Sequence, residues 1–200
     1  MEQPTKENII KAYNIAKETG ADSTCKVLEA LYPDMDFTPK DNRPVTERIK
    51  TFEDACQALG EDHLFVQMFN DIYYKSEKAG ANINSDVVAY LKLRIICAAL
   101  NECWEPQYTE DEWRYYPWHF LYTESEINDM DADERADRHM MSAGDFKTEY
   151  AGFAFARSYH APSYTVAVFG SRLCLKSRDL AIYCGKQFID LWADFKLIRR

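Results

Sequence analysis

The sequence predicts an α+β protein: a helical N-terminal portion followed by a small antiparallel sheet packed by a C-terminal helix. Three observations predict it. Apolar residues recur every three or four positions through residues 1–103. Two later runs, "WRYYPWHFLY" and "YAGFAFARSYH", are rich in β-favouring residues, and the second alternates in character. Helical spacing then returns in "RDLAIYCGKQFIDLWADF".

In chain order, "TKENIIKAYNIAKET" (5–19) places Ile9, Tyr13 and Ala16 on one helical face, with Thr5 as a cap and Gly20 as a stop. A short helix follows from Asp22 to Leu31. "YPDMDFTPKDNRP" (32–44) holds three prolines among acids and amides that favour turns, and reads as a connection. From Val45, "TERIKTFEDACQALG" carries Ile49, Phe52, Cys56 and Leu59 on one stripe, contains Thr51-x-x-Asp54 as a capping signature and ends at Gly60. "HLFVQMFNDIYYKSEKAG" repeats the pattern and also ends in glycine. The longest helix is expected from Ser85 to Cys103. Val88, Leu91, Ile95, Ala98 and Ala99 line one face of it and Leu93, Ile96 and Leu100 widen that face, so this helix should run through the core.

The next stretch, "WEPQYTEDEWRYYPWHFLYTESE" (104–126), mixes aromatic residues with carboxylates. Thr109-x-x-Glu112 and Thr123-x-x-Glu126 are two further capping signatures, which give many of these acids a local task at helix ends. Between them lies a strand in which Pro117 argues for a sheet edge or a strand start. The carboxylate run 124–137, interrupted by Arg135 and followed by Arg138, reads as a solvated helix with internal ion pairs, and the charged stretch "NDMDADERADRH" (128–139) ends this region. "YAGFAFARSYH" then places Ala151, Phe153, Phe155 and Arg157 on one face and Gly152, Ala154, Ala156 and Ser158 on the other. After an "APS" turn, "YTVAVFGSRLCLK" is a second β run expected to pair with it as a hairpin. Ser177 caps one last helix, with Leu180, Cys184, Phe188, Leu191 and Phe195 laid against that hairpin.

At 23.3 kDa and 46% hydrophobic residues the chain is long enough to bury about two-thirds of its unfolded surface. One domain, 1–200, is expected, with a helical portion 1–103 and a mixed α/β portion 104–200. A net charge of −9 opposes attraction to phosphate backbones, so direct nucleic-acid binding is not expected. No run approaches the roughly 18–20 apolar residues of a membrane span, and the chain opens without a signal-peptide pattern. The expectation is a cytoplasmic protein of a bacterial host cell with no membrane partner. The six cysteines, Cys25, Cys56, Cys97, Cys103, Cys174 and Cys184, read as reduced core thiols.

No motif names a reaction. Cys97 and Cys103 would point about 120° apart on a helix. His63, His119, His139 and His160 are scattered, and no C-x-x-C or H-E-x-x-H occurs, so neither a metal nor a cofactor is expected. The seven glycines never lie within three residues of each other, which excludes the phosphate-cradling loops. Cys174 or Cys184 with His119 or His160, and the carboxylates of 110–126 as an acid pair, are nucleophile and glycosidase arrangements that spacing alone does not establish. The aromatic set is the strongest candidate: Trp104, Trp113, Tyr115, Tyr116, Trp118, Tyr122, Tyr159 and Tyr164 offer flat surfaces with polar edges, as core or as a contact face. Arg157 and Arg172, each in an apolar strand pattern, must reach solvent or an acid and are the cations expected beside that face. The candidate binding residues are therefore Trp113, Tyr115, Tyr116, Trp118, Tyr159, Arg157 and Arg172.

"VTERIKTFEDACQALG", "DVVAYLKLRIICAALNECWEPQYTEDEWRYYPWHFLYTESEI" and "GSRLCLKSRDLAIYCGKQFIDLWADF" resemble three blocks that recur, in this order, in a family of uncharacterised proteins from anaerobic gut bacteria and their phages and prophages. The resemblance covers roughly residues 5–60 and 85–200. It implies an intracellular or virion-associated setting and brings no reaction, cofactor or catalytic residue with it. "FAFARSYHAPSYTVAVFGSRLCL" is also similar in rhythm to the closing strands of C-type-lectin-like and sulfatase-modifying-enzyme-like folds, from which the chain departs by continuing into a long helix. The expected function is a non-enzymatic binding or assembly protein, partnered by another protein or by itself through the aromatic region. One alternative is an enzyme using Arg172 and an acid or histidine of the 110–120 segment. Another is an acidic inhibitor of a nucleic-acid enzyme built on the 124–137 run.

Overall fold

The computed structural model describes residues 4–37, 41, 43–80, 83–107, 109, 111–162 and 171–200. Among them are ten α-helices and a three-stranded antiparallel sheet, which makes the protein α+β. The chain divides into two compact units between Arg43 and Pro44, at the end of the proline-containing connection.

The first unit is a helix pair. Thr5 caps α1 (Lys6–Glu18), its hydroxyl accepting the Asn8 N–H at 3.3 Å. α2 (Asp22–Leu31) follows after Gly20. Ile9, Tyr13, Ala16, Cys25 and Phe37 form a small core in which Tyr13 stacks on Phe37 at 4.4 Å and donates its hydroxyl to Glu29 at 2.6 Å.

The second unit opens with α3 (Val45–Arg48) and α4 (Phe52–Leu59), where the apolar stripe alone predicts one continuous helix. The break at Ile49 follows from the capping signature. The Thr51 hydroxyl accepts the Asp54 N–H at 3.1 Å, and Asp54 accepts the Thr51 N–H at 2.9 Å. These reciprocal bonds begin a new helix. α5 (Leu64–Lys78) is capped by His63, whose Nδ1 accepts the Phe65 N–H at 3.2 Å.

α6 (Ser85–Leu100) is the central helix, packed against α4 and α5 and against two later helices. Its β-branched residues give it no special propensity, so packing is what holds it. Leu93, Ile95, Ile96 and Leu100 are fully buried, each contributing about 1.5–3 kcal/mol of transfer free energy. The helix ends at Leu100, short of Cys103, because Glu102 (φ 51°) and Cys103 (φ 62°) both turn left-handed.

β1 (Trp113–Tyr122), β2 (Met141–Ser142) and β3 (Gly152–Pro162) form the sheet in the order β1-β3-β2. No helix follows Thr109-x-x-Glu112: Glu112 accepts the Gln107 N–H at 2.6 Å and β1 begins at the next residue. Thr123 and Glu126 do form a reciprocal cap, starting α7 (Glu124–Asp129), which leads to α8 (Ala132–Asp137). β3 pairs with β1. Residues 163–170 of the expected hairpin lie outside the described residues. The remainder is no strand: Ser171–Leu173 is a 3-10 turn, and Leu175 makes an isolated bridge to Tyr115.

The register slips between Trp118, opposite Arg157, and His119, opposite Phe155. Ala156 is thus an extra residue in β3. Trp118 and His119 point to opposite faces, so their partners Arg157 and Phe155 do too, and not to one face as simple alternation predicts. The C-terminal stripe is likewise split, at Phe188 (φ −113°, ψ 35°), into α9 (Arg178–Gln187) and α10 (Ile189–Lys196). α9 packs on β1 and β3, and α10 on α6.

Candidate functional site

Gly185 lets α9 lie close on the sheet. A Cβ there would stand 2.5 Å from the Pro117 Cβ and 2.7 Å from the Phe155 ring. Its carbonyl lies 3.0 Å from His119 Nε2, and Lys196 Nζ lies 2.9 Å from His119 Nδ1 and 3.3 Å from the Pro117 oxygen. The carbonyl can only accept and the ammonium can only donate, so His119 carries its proton on Nε2 and is neutral. Burial, helped by the neighbouring Lys196 charge, pushes His119 down to about 3, and burial pushes Lys196 down to about 8. These bonds seat β1 on the two C-terminal helices.

With β1 seated, its aromatic residues separate. Tyr116 is 2% exposed and packs with Cys174 and Trp104, so it belongs to the core, as does Tyr122. Trp113 and Tyr159 are 46% and 42% exposed. Rings meet in a chain that wraps the strand pair, Trp113, Tyr115 and His160 on one face and Trp118 and Tyr159 on the other: Trp113 with His160 at 4.9 Å, His160 with Tyr115 at 6.1 Å and Tyr159 at 6.0 Å, and Tyr159 with Trp118 at 5.4 Å. Tyr115 and Trp118 are half-buried, and the exposed Arg157 lies opposite Trp118 in the register. No carboxylate among the described residues pairs with Arg157. Tyr164 lies outside the described residues.

Arg172 is elsewhere. It lines a cavity of about 670 Å³ with Arg94, His63, Phe65, Trp104 and Glu105. Asn101 ties the two walls together: its amide donates to the Cys174 carbonyl at 2.8 Å and accepts the Lys176 N–H at 2.9 Å. This fixes the Arg172 segment against the end of α6. Glu102 is held at 2.8 Å by both Arg48 and Lys176, which bond to its carboxylate and lower its pKa, Lys176 the more strongly. The left-handed turn that carries Trp104 into the wall is pinned there.

The partners expected for Arg172 from the 110–120 segment and from His160 do not line its cavity, which holds His63 and Glu105 instead. His119 is bound to Gly185 and Lys196, His160 belongs to the ring chain, and Glu112 bonds the Gln107 amide. Four of the seven carboxylates of 124–137 are committed: Glu126 and Asp131 to helix starts, Glu134 to Arg138, Asp137 to Lys186. Four cysteines are buried and Cys56 is half-buried, but Cys103 is exposed, a correction to the core assignment that follows from its left-handed turn outside α6. Burial pushes the Cys174 thiol up to about 11 against the pull of Arg114. Among the described residues no three His, Cys, Asp or Glu side chains are placed to hold a metal ion, and no helix is long and apolar enough to cross a membrane.

Sequence reasoning missed Arg94 and the His119–Lys196 pair. An arginine in the middle of a largely apolar helix is the available signal for the first. The second joins residues too far apart for spacing to show. No protein family model, no curated protein and no solved structure matches the chain.

Proposed function

We propose that this chain is a non-enzymatic assembly protein, of the phage- or prophage-linked kind its sequence blocks imply, and that a second copy seats on the ring chain of β1 and β3. The observation that carries the reading is the contact series Trp113–His160–Tyr159–Trp118, left substantially exposed at both Trp113 and Tyr159. Trp, Tyr and Arg are the residues most enriched where interfaces concentrate their energy, because rigid rings bury large areas at little entropic cost. Arg157 adds a cation opposite Trp118, and a chain with 33 acidic against 24 basic residues supplies carboxylates to meet it.

Iodide quenching of tryptophan fluorescence tests this, with Trp113→Phe isolating the Trp113 signal. Quenching of Trp113 should fall as the protein is concentrated and a second copy covers the ring. Quenching that stays the same from dilute to concentrated protein contradicts the reading.

A further inference from the structure

We propose that the cavity beside the end of α6 binds a small aromatic anion: one molecule that joins a flat ring to a carboxylate or phosphate group. The site is independent of the ring chain on β1 and β3. Its volume, about 670 Å³, lies within the range of roughly 300–1,000 Å³ usual for small-molecule sites.

The charge arrangement carries the inference. Arg94 projects from α6 with its guanidinium 4.0 Å from the centre of the Phe65 ring and 6.0 Å from that of Tyr90. Its Nε is buried with no hydrogen-bond partner. Ring faces therefore hold this cation, and no carboxylate among the described residues pairs with it or with Arg172. Acids are not scarce in a chain of net charge −9, and two cations close by, Arg48 and Lys176, both bond to Glu102. The wall is left with two guanidiniums against one carboxylate, the exposed Glu105. A planar guanidinium matches carboxylate and phosphate oxygens in a two-bond fork, and a pairing out of bulk water strengthens it.

The rest of the wall suits a ring. Phe65, Trp104, Ala98 and Pro106 supply apolar surface beside the two cations. Glu102 and Cys103, consecutive non-glycine residues in left-handed conformation, shape this wall, and such strain persists only where surrounding bonds enforce it.

The test is fluorescence titration of the full chain with anilinonaphthalene sulfonate, an aromatic anion, and with phenylnaphthylamine, its uncharged counterpart. The sulfonate should bind at one site per chain. Arg94→Met should weaken it by about tenfold to a hundredfold, the scale of a charged hydrogen bond, and Arg172→Met by less. Arg178→Met, an exposed arginine on α9 away from the cavity, should leave binding unchanged, and no variant should alter binding of the uncharged dye. Displacement by benzoate or by phenyl phosphate assigns the preferred anionic group. Equal sulfonate affinity in the wild type, Arg94→Met and Arg172→Met overturns the proposal, as does failure of both competitors to displace it. Should circular dichroism show Arg94→Met unfolded, the comparison of Arg172→Met, altered at an exposed side chain, with Arg178→Met decides the matter alone.

Discussion

Acidification should destabilise this protein through His119 before its carboxyl groups matter. Folded His119 titrates at about 3, whereas a free imidazole titrates near 6.5. Above pH 6.5 the ring is neutral in both states and contributes no pH dependence. Below it, the unfolded chain takes up a proton that the folded chain refuses, so stability is lost as pH falls from 6.5 towards 3, at about 1.4 kcal/mol per unit. At pH 5 the loss is 1.5 units, or about 2 kcal/mol. The lowered carboxyls of Asp54, Glu102, Glu126 and Asp137 lose their contributions only from about pH 5 downward. Lys196, at about 8, remains protonated in both states across this window. Urea unfolding at pH 7, 6 and 5 should be compared between the wild type and His119→Gln, whose amide can still donate to the Gly185 carbonyl. The wild type should lose about 2 kcal/mol more than the variant over that interval. Parallel losses in the two proteins would refute a buried neutral His119.

Gly185→Ala places a methyl 2.5 Å from Pro117, and should lower unfolding stability by about 1–3 kcal/mol despite the better helix propensity of alanine. Tyr116→Ala, at a core position, should cost about 3–5 kcal/mol in urea unfolding, while Trp113→Ala, half exposed, should cost under about 1 kcal/mol; equal losses would mean that the rings are not divided between core and surface. Ellman's reagent should modify one thiol rapidly in the native protein, and Cys103→Ser should abolish that phase, because the Cys97 thiol is raised by its hydrogen bond to Cys184 and by burial, and Cys174 by burial.

Local signals survived folding well. Thr5, Thr51, Thr123 and Ser177 each cap a helix, since a hydroxyl followed by free amides acts within one turn. The apolar circumference of α6 likewise announced a buried helix. Periodicity failed where a longer-range choice intervened. A stripe cannot show that Ile49 and Phe188 interrupt their helices, and alternation cannot show that Ala156 bulges out and reverses Arg157 relative to Phe155. Tyr115 and Tyr116 are adjacent in sequence, yet only the docking of Trp104 and Cys174 commits Tyr116 to the core. The cavity draws on residues 63–65, 94–106 and 172, three segments that no spacing rule connects. Arg172 is legible as an arginine needing a partner, but Arg94 sits inside a helix whose apolar residues alone account for its burial.

Multi-angle light scattering of the wild type beside a Trp113→Asp, Tyr159→Ser variant, with circular dichroism to show that the variant folds, tests the assembly reading most directly. Both positions are exposed, so the variant should keep its fold. The account predicts a wild-type mass at least twice 23.3 kDa and a variant mass of one chain. A monomeric wild type, or an oligomer that the folded variant leaves intact, would contradict it.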